Sequence, residues 1–314
     1  RELVRFEAGK VESVVVELPD QFEGVAAGSR VEVKLALTDH FGHNVYDQPA
    51  TVALTEECPG GTLAQTITFV GVATASVSPT SACPENRIRA FGVVEGVGVD
   101  GQSAPFEVSP GVLAGLSVLS SPARVQAGVE DILLSVQGVD PWGNSTPDGL
   151  GAIELLDEMG PLTELNGNGQ HSCSTGAPGT AQCVAKLYSA SENQVIQVVS
   201  DSGVEGESNG IEVLPGPGEN MVVHIDETTA TAGDPTPVWI KIQDAFGNPL
   251  ILGSADRELL TFGDDDGAVS CTPTGADIFE RRYMYDCLFL IAGRDRRLFV
   301  ASPSMGVLGS SASI

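Results

Sequence analysis

One phrase of sequence is written three times in this chain, and its spacing limits the fold more than any other feature. An Ala-Gly pair opens each copy: Ala27-Gly28, Ala127-Gly128 and Ala232-Gly233, with the glycines 100 and 105 residues apart. An alternating run follows: Val31, Val33, Leu35 and Leu37; then Ile132, Leu134 and Val136; then Val238, Ile240 and Ile242. Apolar side chains at every second residue put one face of an extended strand in a core and the other in water. Each run ends 11, 12 and 11 residues after its glycine in the same punctuation. The three endings are Asp39-His40-Phe41-Gly42-His43-Asn44, Asp140-Pro141-Trp142-Gly143-Asn144 and Asp244-Ala245-Phe246-Gly247-Asn248. The local chemistry predicts a turn. Asp caps it through its side chain, Gly accepts positive φ, the ring covers the end of the core, and Asn tolerates a left-handed backbone.

A third landmark closes each copy. Phe106-Glu107-Val108 before Ser109-Pro110-Gly111 parallels Ile211-Glu212-Val213 before Leu214-Pro215-Gly216. The opening Phe6-Glu7-Ala8-Gly9 reads as the same closing strand, and Ser310 to Ile314 falls where Phe106 and Ile211 fall, so both ends are expected to lie at junctions of a longer array. Further strands are expected at Thr66–Val70, Ala73–Val77, Arg87–Val94, Val184–Tyr188, Gln194–Ser200 and Arg297–Ser302. No window carries apolar residues at helical spacing over several turns. Repeats near one hundred residues with short strands and frequent turns predict an all-β fold of three tandem immunoglobulin-like β-sandwich domains in an elongated array. The expected boundaries are 1–9 as a junction or the closing strand of a preceding repeat, then 10–110, 111–216 and 217–314 as the three domains. With strands rising ~3.3 Å per residue, each domain would be roughly 35–40 Å long and three in line roughly 110–120 Å. The Pro- and Gly-containing linkers Val108 to Gly111 and Leu214 to Gly218 are too short for free swivelling.

Charge narrows the partners. The chain holds 42 Asp plus Glu against 16 Lys plus Arg, a net −26. Such a surface repels nucleic-acid phosphates and anionic lipid headgroups, and no stretch has the apolar length for membrane insertion. Six cysteines fall two per copy: Cys58 and Cys83, Cys173 and Cys183, Cys271 and Cys287. One disulfide per domain is the economical assignment and implies an oxidising, extracellular compartment. Zinc is the competing reading, but no Cys-x-x-Cys or His cluster accompanies the pairs. Spacings of 25, 10 and 16 residues imply that the bridges do not share one structural position. Asn144-Ser145-Thr146 is the one glycosylation sequon, although the turn alone explains its Asn.

Catalysis is not expected. The four histidines, His40, His43, His171 and His224, stand near no nucleophile with an orienting third group, and His40 and His43 lie in a solvent-facing turn. No cofactor is implied beyond a weak calcium candidate at Asp264, Asp265 and Asp266, for which a solvated turn is the plainer reading. Junction carboxylates Glu219, Asp226 and Glu227 are a second weak calcium candidate.

The stretch Asp244 to Pro249, preceded by Ala232-Gly233 and its alternating strand, resembles bacterial Ig-like domains of the invasin/intimin type, and also filamin-type Ig repeats. The other copies depart at the final Asn-Pro, with Asn44-Val45 and Asn144-Ser145. The resemblance implies a stalk of a cell-surface adhesin or an extracellular filament such as an algal flagellar hair. Paired cysteines fit the cytoplasmic filamin-type crosslinkers poorly. The expected function is therefore a structural segment whose partners are neighbouring Ig-like domains. The alternative is a binding module that recognises a protein or glycan through the loops Cys58 to Thr66 and Asp157 to His171.

Overall fold

The alternating runs are strands. The computed structural model describes residues 8–313 except 159, 164–166, 227–228, 254–256, 258, 266, 268, 278–280 and 293–294. Val31–Thr38, Ile132–Val139 and Pro235–Gln243 are all extended. Val33, Leu35, Leu37, Ile132, Leu134, Ile240 and Ile242 have no exposed surface. Branched side chains suit a pleated, half-buried face, and each one buried contributes about 1.5–3 kcal/mol relative to exposure. Apart from a helical position at Arg257, all described regular elements are strands. No helix among the described residues is long and apolar enough to cross a membrane.

The chain divides into two compact units: Arg1–Ser117 with Gln137–Gly151 and Gly176–Thr180, and Val118–Val136 with Ala152–Thr175 and Ala181–Ile314. In the second unit, residues from Asn220 onward give the clearest topology. One sheet runs in the order Asn220–Ile225, Pro235–Gln243, Arg282–Phe289, Val269–Asp277. The other runs Thr261–Asp264, Leu298–Ser302, Val307–Ser310. Lettered A to G along the chain, these are A-B-E-D and C-F-G, the constant-type immunoglobulin order. Both sheets feed one core containing Val238, Ile240, Tyr285, Leu298 and Val300.

The first unit builds the same sandwich with one change. Ser13–Glu17, Val31–Thr38 and Val72–Val77 form one sheet. The other runs Ala64–Val70, Pro49–Glu56, Ile88–Val94, Val97–Gln102. The fourth strand, Ala64–Val70, has thus crossed to pair with Pro49–Glu56. Only Gly71 (φ 68°) separates it from Val72–Val77, and a β-carbon there would lie 2.8 Å from the Tyr46 Cα, so the crossing requires glycine. Val33, Leu35, Val52, Leu54, Ile88 and Ala90 join in one core.

The closing landmarks are strands with a second role. Phe106–Ser109 pairs in parallel with Gly24–Ala26, and Ile211–Leu214 in parallel with Arg124–Gln126, the segments that lead into the first two Ala-Gly pairs. A serine before each closing strand accepts a buried backbone N–H: Ile88 to Ser103 and Ile196 to Ser208, both at 3.0 Å. Leu298 to Ser311 repeats the bond at 3.0 Å. The expected strand Gln194–Ser200 is broken instead into Ser191–Gln194 and Gln197–Ser200. The proposed opening strand lies outside the described residues up to Glu7.

Candidate functional site

The residues that do most for their size are those of the repeated turn. Asp39, Asp140 and Asp244 are buried at the ends of their strands. In each, Oδ1 accepts two backbone N–H groups at 2.9 Å: from Phe41 and His43, from Trp142 and Asn144, and from Phe246 and Asn248. The glycine three residues after each aspartate donates its own N–H to the Asp carbonyl at 3.0, 3.0 and 3.1 Å. Gly42, Gly143 and Gly247 hold φ of 79°, 85° and 84°, which a side chain would strain. The second carboxylate oxygen takes the N–H of a linker glycine: Gly9 at 2.9 Å, Gly111 at 2.8 Å and Gly216 at 2.7 Å. One aspartate therefore closes the turn and fastens the strand that enters the sandwich. The N–H groups of Gly9, His43 and Phe41 hold the Asp39 carboxyl down at about 2. Burial works against the Asp140 charge, but the Asn144 side chain and the N–H groups of Gly111, Asn144 and Trp142 outweigh it and lower its pKa.

The rest of the turn reaches away from its own sandwich core. Asn144 donates from Nδ2 to Thr80 O and to Asp140 Oδ2, both at 2.8 Å, and its Oδ1 accepts from Ala82 N at 2.8 Å. Asn248 repeats this: Nδ2 to Tyr188 O at 2.6 Å and to Asp244 Oδ2 at 2.7 Å, with Ala190 N to Oδ1 at 2.8 Å. A side-chain amide here extends a strand end as a backbone amide would, and Asp fixes its orientation. The aromatic residue fills the space beside it. A methyl group on Gly28 would collide with the ring of Trp142, and one on Gly128 with the ring of Phe246. Phe246 also stacks on Tyr188, centroids 4.3 Å apart and 8° from parallel. Those glycines hold φ of 76° and 69°, which by itself favours glycine, and a ring lies on each. The expectation that the ring covers the end of its own core is thus corrected, and so is the role of Asn. Asn144 and Asn248 bridge to residues about sixty positions earlier, and the left-handed backbone belongs to the glycine.

The first turn departs from the other two. Counting from the aspartate, His43 occupies the place of Asn144 and Asn248, because it supplies the N–H to Asp39 Oδ1 and the carbonyl that accepts from Asp39 N. Asn44 aligns instead with Ser145 and Pro249, its counterparts in the bridge that ends each turn: Thr38 with Asn44, Val139 with Ser145 and Gln243 with Pro249. Matching Asn44 to the other two asparagines is therefore a slip of one residue. Phe41 is 80% exposed, against 45% for Trp142 and 43% for Phe246.

The cysteines are all paired. Cys173 and Cys183 face each other on the antiparallel strands Gly169–Thr175 and Thr180–Leu187, with Cα atoms 4.0 Å apart. Cys271 and Cys287 do the same on Val269–Asp277 and Arg282–Phe289, at 4.1 Å. These two bridges share a position, contrary to the expectation from their spacing, because only the length of the turn between the strands differs. Cys58–Cys83 differs, joining the turn after Pro49–Glu56 to the start of Cys83–Asn86 with Cα atoms 6.3 Å apart. Both hydrogens of Asn144 Nδ2 are committed, so a glycan there would displace one of its bonds. Asp264 is buried and paired with Arg296, and Asp265 accepts from Arg297 N at 2.9 Å, so these carboxylates already have protein partners. Asp266 and Glu227 lie outside the described residues. Among the described residues no group of three or more His, Cys, Asp or Glu is placed to hold a metal ion.

No family model matches this chain, and no curated protein matches it. Among solved structures it is similar to the Escherichia coli adhesin FdeC, with 17% identity over 98% of this chain and 100% of that one and a TM-score of 0.37. It is similar to domains 4–9 of surface layer protein SbsC, with 15% identity over 98% of this chain and 48% of that one and a TM-score of 0.26. The Yersinia pseudotuberculosis adhesin InvE shows 18% identity over 72% of this chain and 66% of its own, with a TM-score of 0.26. At such scores these likenesses carry no argument about function. The immunoglobulin-like fold rests on the sheet order.

Proposed function

We propose that this chain is a structural segment of an extracellular stalk or filament. It consists of three immunoglobulin-like sandwiches at 10–110, 111–216 and 217–314, and the turns at Asp140 and Asp244 are the joints between them. The observation that carries this reading is the recurrence of one contact set: ring on a bare glycine, amide on a carbonyl and N–H two residues apart, carboxylate on the linker. A domain that only needed to be tethered would not need three fixed contacts at each junction. Paired cysteines and the net −26 fit a soluble surface outside the cell. We assign it no catalytic role. His40 pairs with Glu12, His43 with Asp39, His224 with Asp226, and His171 Nδ1 lies 2.8 Å from Leu162 O. The invasin/intimin-type resemblance is of the same class, with stalks as its expected role. Small-angle scattering of the intact chain and of the Asn144→Ala, Asn248→Ala double variant tests it. The variant is expected to sample a broader range of domain arrangements while keeping its folded signal. A wild-type chain that already hinges freely would defeat the reading.

A second reading, adhesive binding, has one observation behind it. A cleft of about 760 Å³ beside the second contact set is lined by Pro215, Pro217, Leu250, Ile251 and Met305. Its lining includes no residue of the loops expected to carry specificity. Binding of a glycan or protein that Ile251→Asp abolishes would favour this reading.

A further inference from the structure

A carboxylate ends one strand of each sandwich and ties it to the start of another. Pro49–Glu56, Ile153–Asp157 and Thr261–Asp264 end in Glu56, Asp157 and Asp264. Each accepts from a buried side chain two residues before Ile88, Ile196 or Leu298: Asn86 Nδ2 at 3.3 Å, Gln194 Nε2 at 3.0 Å and an Arg296 guanidinium N–H. Glu56 does more. Its Oε1 accepts Leu63 N at 3.1 Å, Thr80 N at 3.1 Å and the Thr80 hydroxyl at 2.8 Å, and its Oε2 accepts Thr80 N at 3.1 Å and Ser81 N at 3.2 Å. The loop after it adds three ties to the same segment: Thr62 N to Thr80 Oγ1 at 2.9 Å, Ser81 Oγ to Pro59 O at 2.6 Å, and the Cys58–Cys83 disulfide. A methyl group on Gly61, which has no positive φ, would lie 2.3 Å from Glu56 Cγ, so this glycine leaves the room that the side chain occupies. The second sandwich reaches the corresponding segment by a relay. Asn168, which has no exposed surface, donates Nδ2 to Asp157 Oδ1 at 2.8 Å, and its carbonyl accepts Tyr188 N at 3.0 Å.

Those segments are the ones that receive the turns: Asn144 bridges Thr80 O and Ala82 N, and Asn248 bridges Tyr188 O and Ala190 N. Resting on the reading of these contacts as joints, we propose that Glu56 and Asp157 are positioning residues of the two joints, and that the loops following them brace the receiving segments instead of recognising a ligand. Residues 78–82 lie between the strands Val72–Val77 and Cys83–Asn86, and 188–190 between Thr180–Leu187 and Ser191–Gln194, so no sheet ladder aims their carbonyls and N–H groups. A side-chain amide can bridge two such groups only where something else fixes their direction, and bonds to a charged acceptor are about twice as strong as neutral ones. Burial works against the Glu56 charge, but the Thr80 hydroxyl and the N–H groups of Leu63, Thr80 and Ser81 outweigh it and hold the carboxyl below its ordinary value. The receiving segment is thus set before Asn144 is counted, which lowers the ordering cost of the joint.

Amide hydrogen exchange of the intact chain, followed by NMR, is the test. Glu56→Gln keeps the size of the side chain but sets an NH2 group among N–H donors. Exchange at Ala82 should rise about 10-fold, the worth of one bond to a charged group, and the Asn144 side-chain amide protons should move toward the shift of a solvated amide. Val52 and Ala90, buried in the sheet, should keep their rates. Asp157→Asn should act on Ala190 in the same way, more weakly because Asn168 intervenes. Should Glu56→Gln not fold, Gly61→Ala decides, since it displaces the carboxylate and keeps its charge. An Ala82 rate that does not change overturns the proposal. A rise that Val52 and Ala90 share overturns it too, because the carboxylate then holds the sandwich and not the receiving segment. Asn144→Ala separates this inference from the joints themselves. A raised Ala82 rate there beside a silent Glu56→Gln leaves the joint without its brace, whereas a silent Asn144→Ala removes both.

Discussion

The turns at Asp39 and Asp140 share a backbone and differ in what surrounds them. Both aspartates close the turn with the same two N–H bonds and hold a linker glycine with the other oxygen. Trp142 and Asn144 then spend their side chains on Gly28, Thr80 and Ala82, while Phe41 remains in solvent and His43 stays on its own aspartate. The comparison separates two jobs that one sequence phrase hides. Asp and Gly make the turn, and the aromatic and the amide make the neighbour contact. The backbone of the turn is therefore the same whether or not the ring and the side chain after the glycine bridge to another segment.

Substituting the ring is the largest way to break this comparison. Trp142→Ala removes a half-buried indole from Gly28 and Gly111 and opens the Ala27 surface to water, a cost of about 2 kcal/mol. Phe41→Ala, at a ring that is 80% exposed, should stay within about 0.5 kcal/mol. Chemical denaturation of the two variants in parallel reads the difference. Equal losses would mean that the ring serves its own sandwich after all.

The amide comes next. Asn144→Ala leaves Thr80 O and Ala82 N without their side-chain partner and costs about 1–2 kcal/mol, with faster hydrogen exchange at Ala82. Asn44→Ala loses only an exposed 3.2 Å bond to the Tyr46 hydroxyl and should be nearly silent. The two asparagines look equivalent in sequence, so a matched loss at Asn44 would restore the sequence alignment and undo the structural one.

That pair of residues also marks where sequence reading stops. Period-two runs gave the B strands directly, since Val33, Leu35, Ile240 and Ile242 each need a buried face, and the turn followed from Asp and Gly chemistry. Partners across about sixty residues leave no local pattern, so sequence alone points Trp142 to its own core. No insertion separates the copies: counted from the aspartate, His43 replaces the asparagine, and the neighbouring Asn44 disguises the replacement until the hydrogen bonds of Asp39 fix the count. The matched positions of Cys173–Cys183 and Cys271–Cys287 are hidden because disulfide spacing measures turn length as well as position. The transfer of Ala64–Val70 to the other sheet turns on Gly71 alone, one glycine among the 37 of the chain.

The smallest effect distinguishes the two turns by charge. A carboxyl whose pKa is lowered in the folded state stabilises the fold above its ordinary value, and that contribution disappears as pH falls through the folded value. For Asp39 the folded value is about 2, held there chiefly by Gly9 N–H, so its turn should survive ordinary acid and release Gly9 only near that pH. Asp140 is held below its ordinary value against the pull of its burial, and the Asn144 side chain is the foremost group that holds it. Asn144→Ala should therefore move the Asp140 carboxyl titration, followed by carbon NMR, upward toward the ordinary carboxylate range while Asp39 stays near 2. Asn44→Ala should move neither. If Asp140 does not respond, its charge is held by backbone N–H groups alone, and the amide does nothing for the turn that carries it. If Asp39 responds to Asn44→Ala, then Asn44 and not His43 is the counterpart of Asn144.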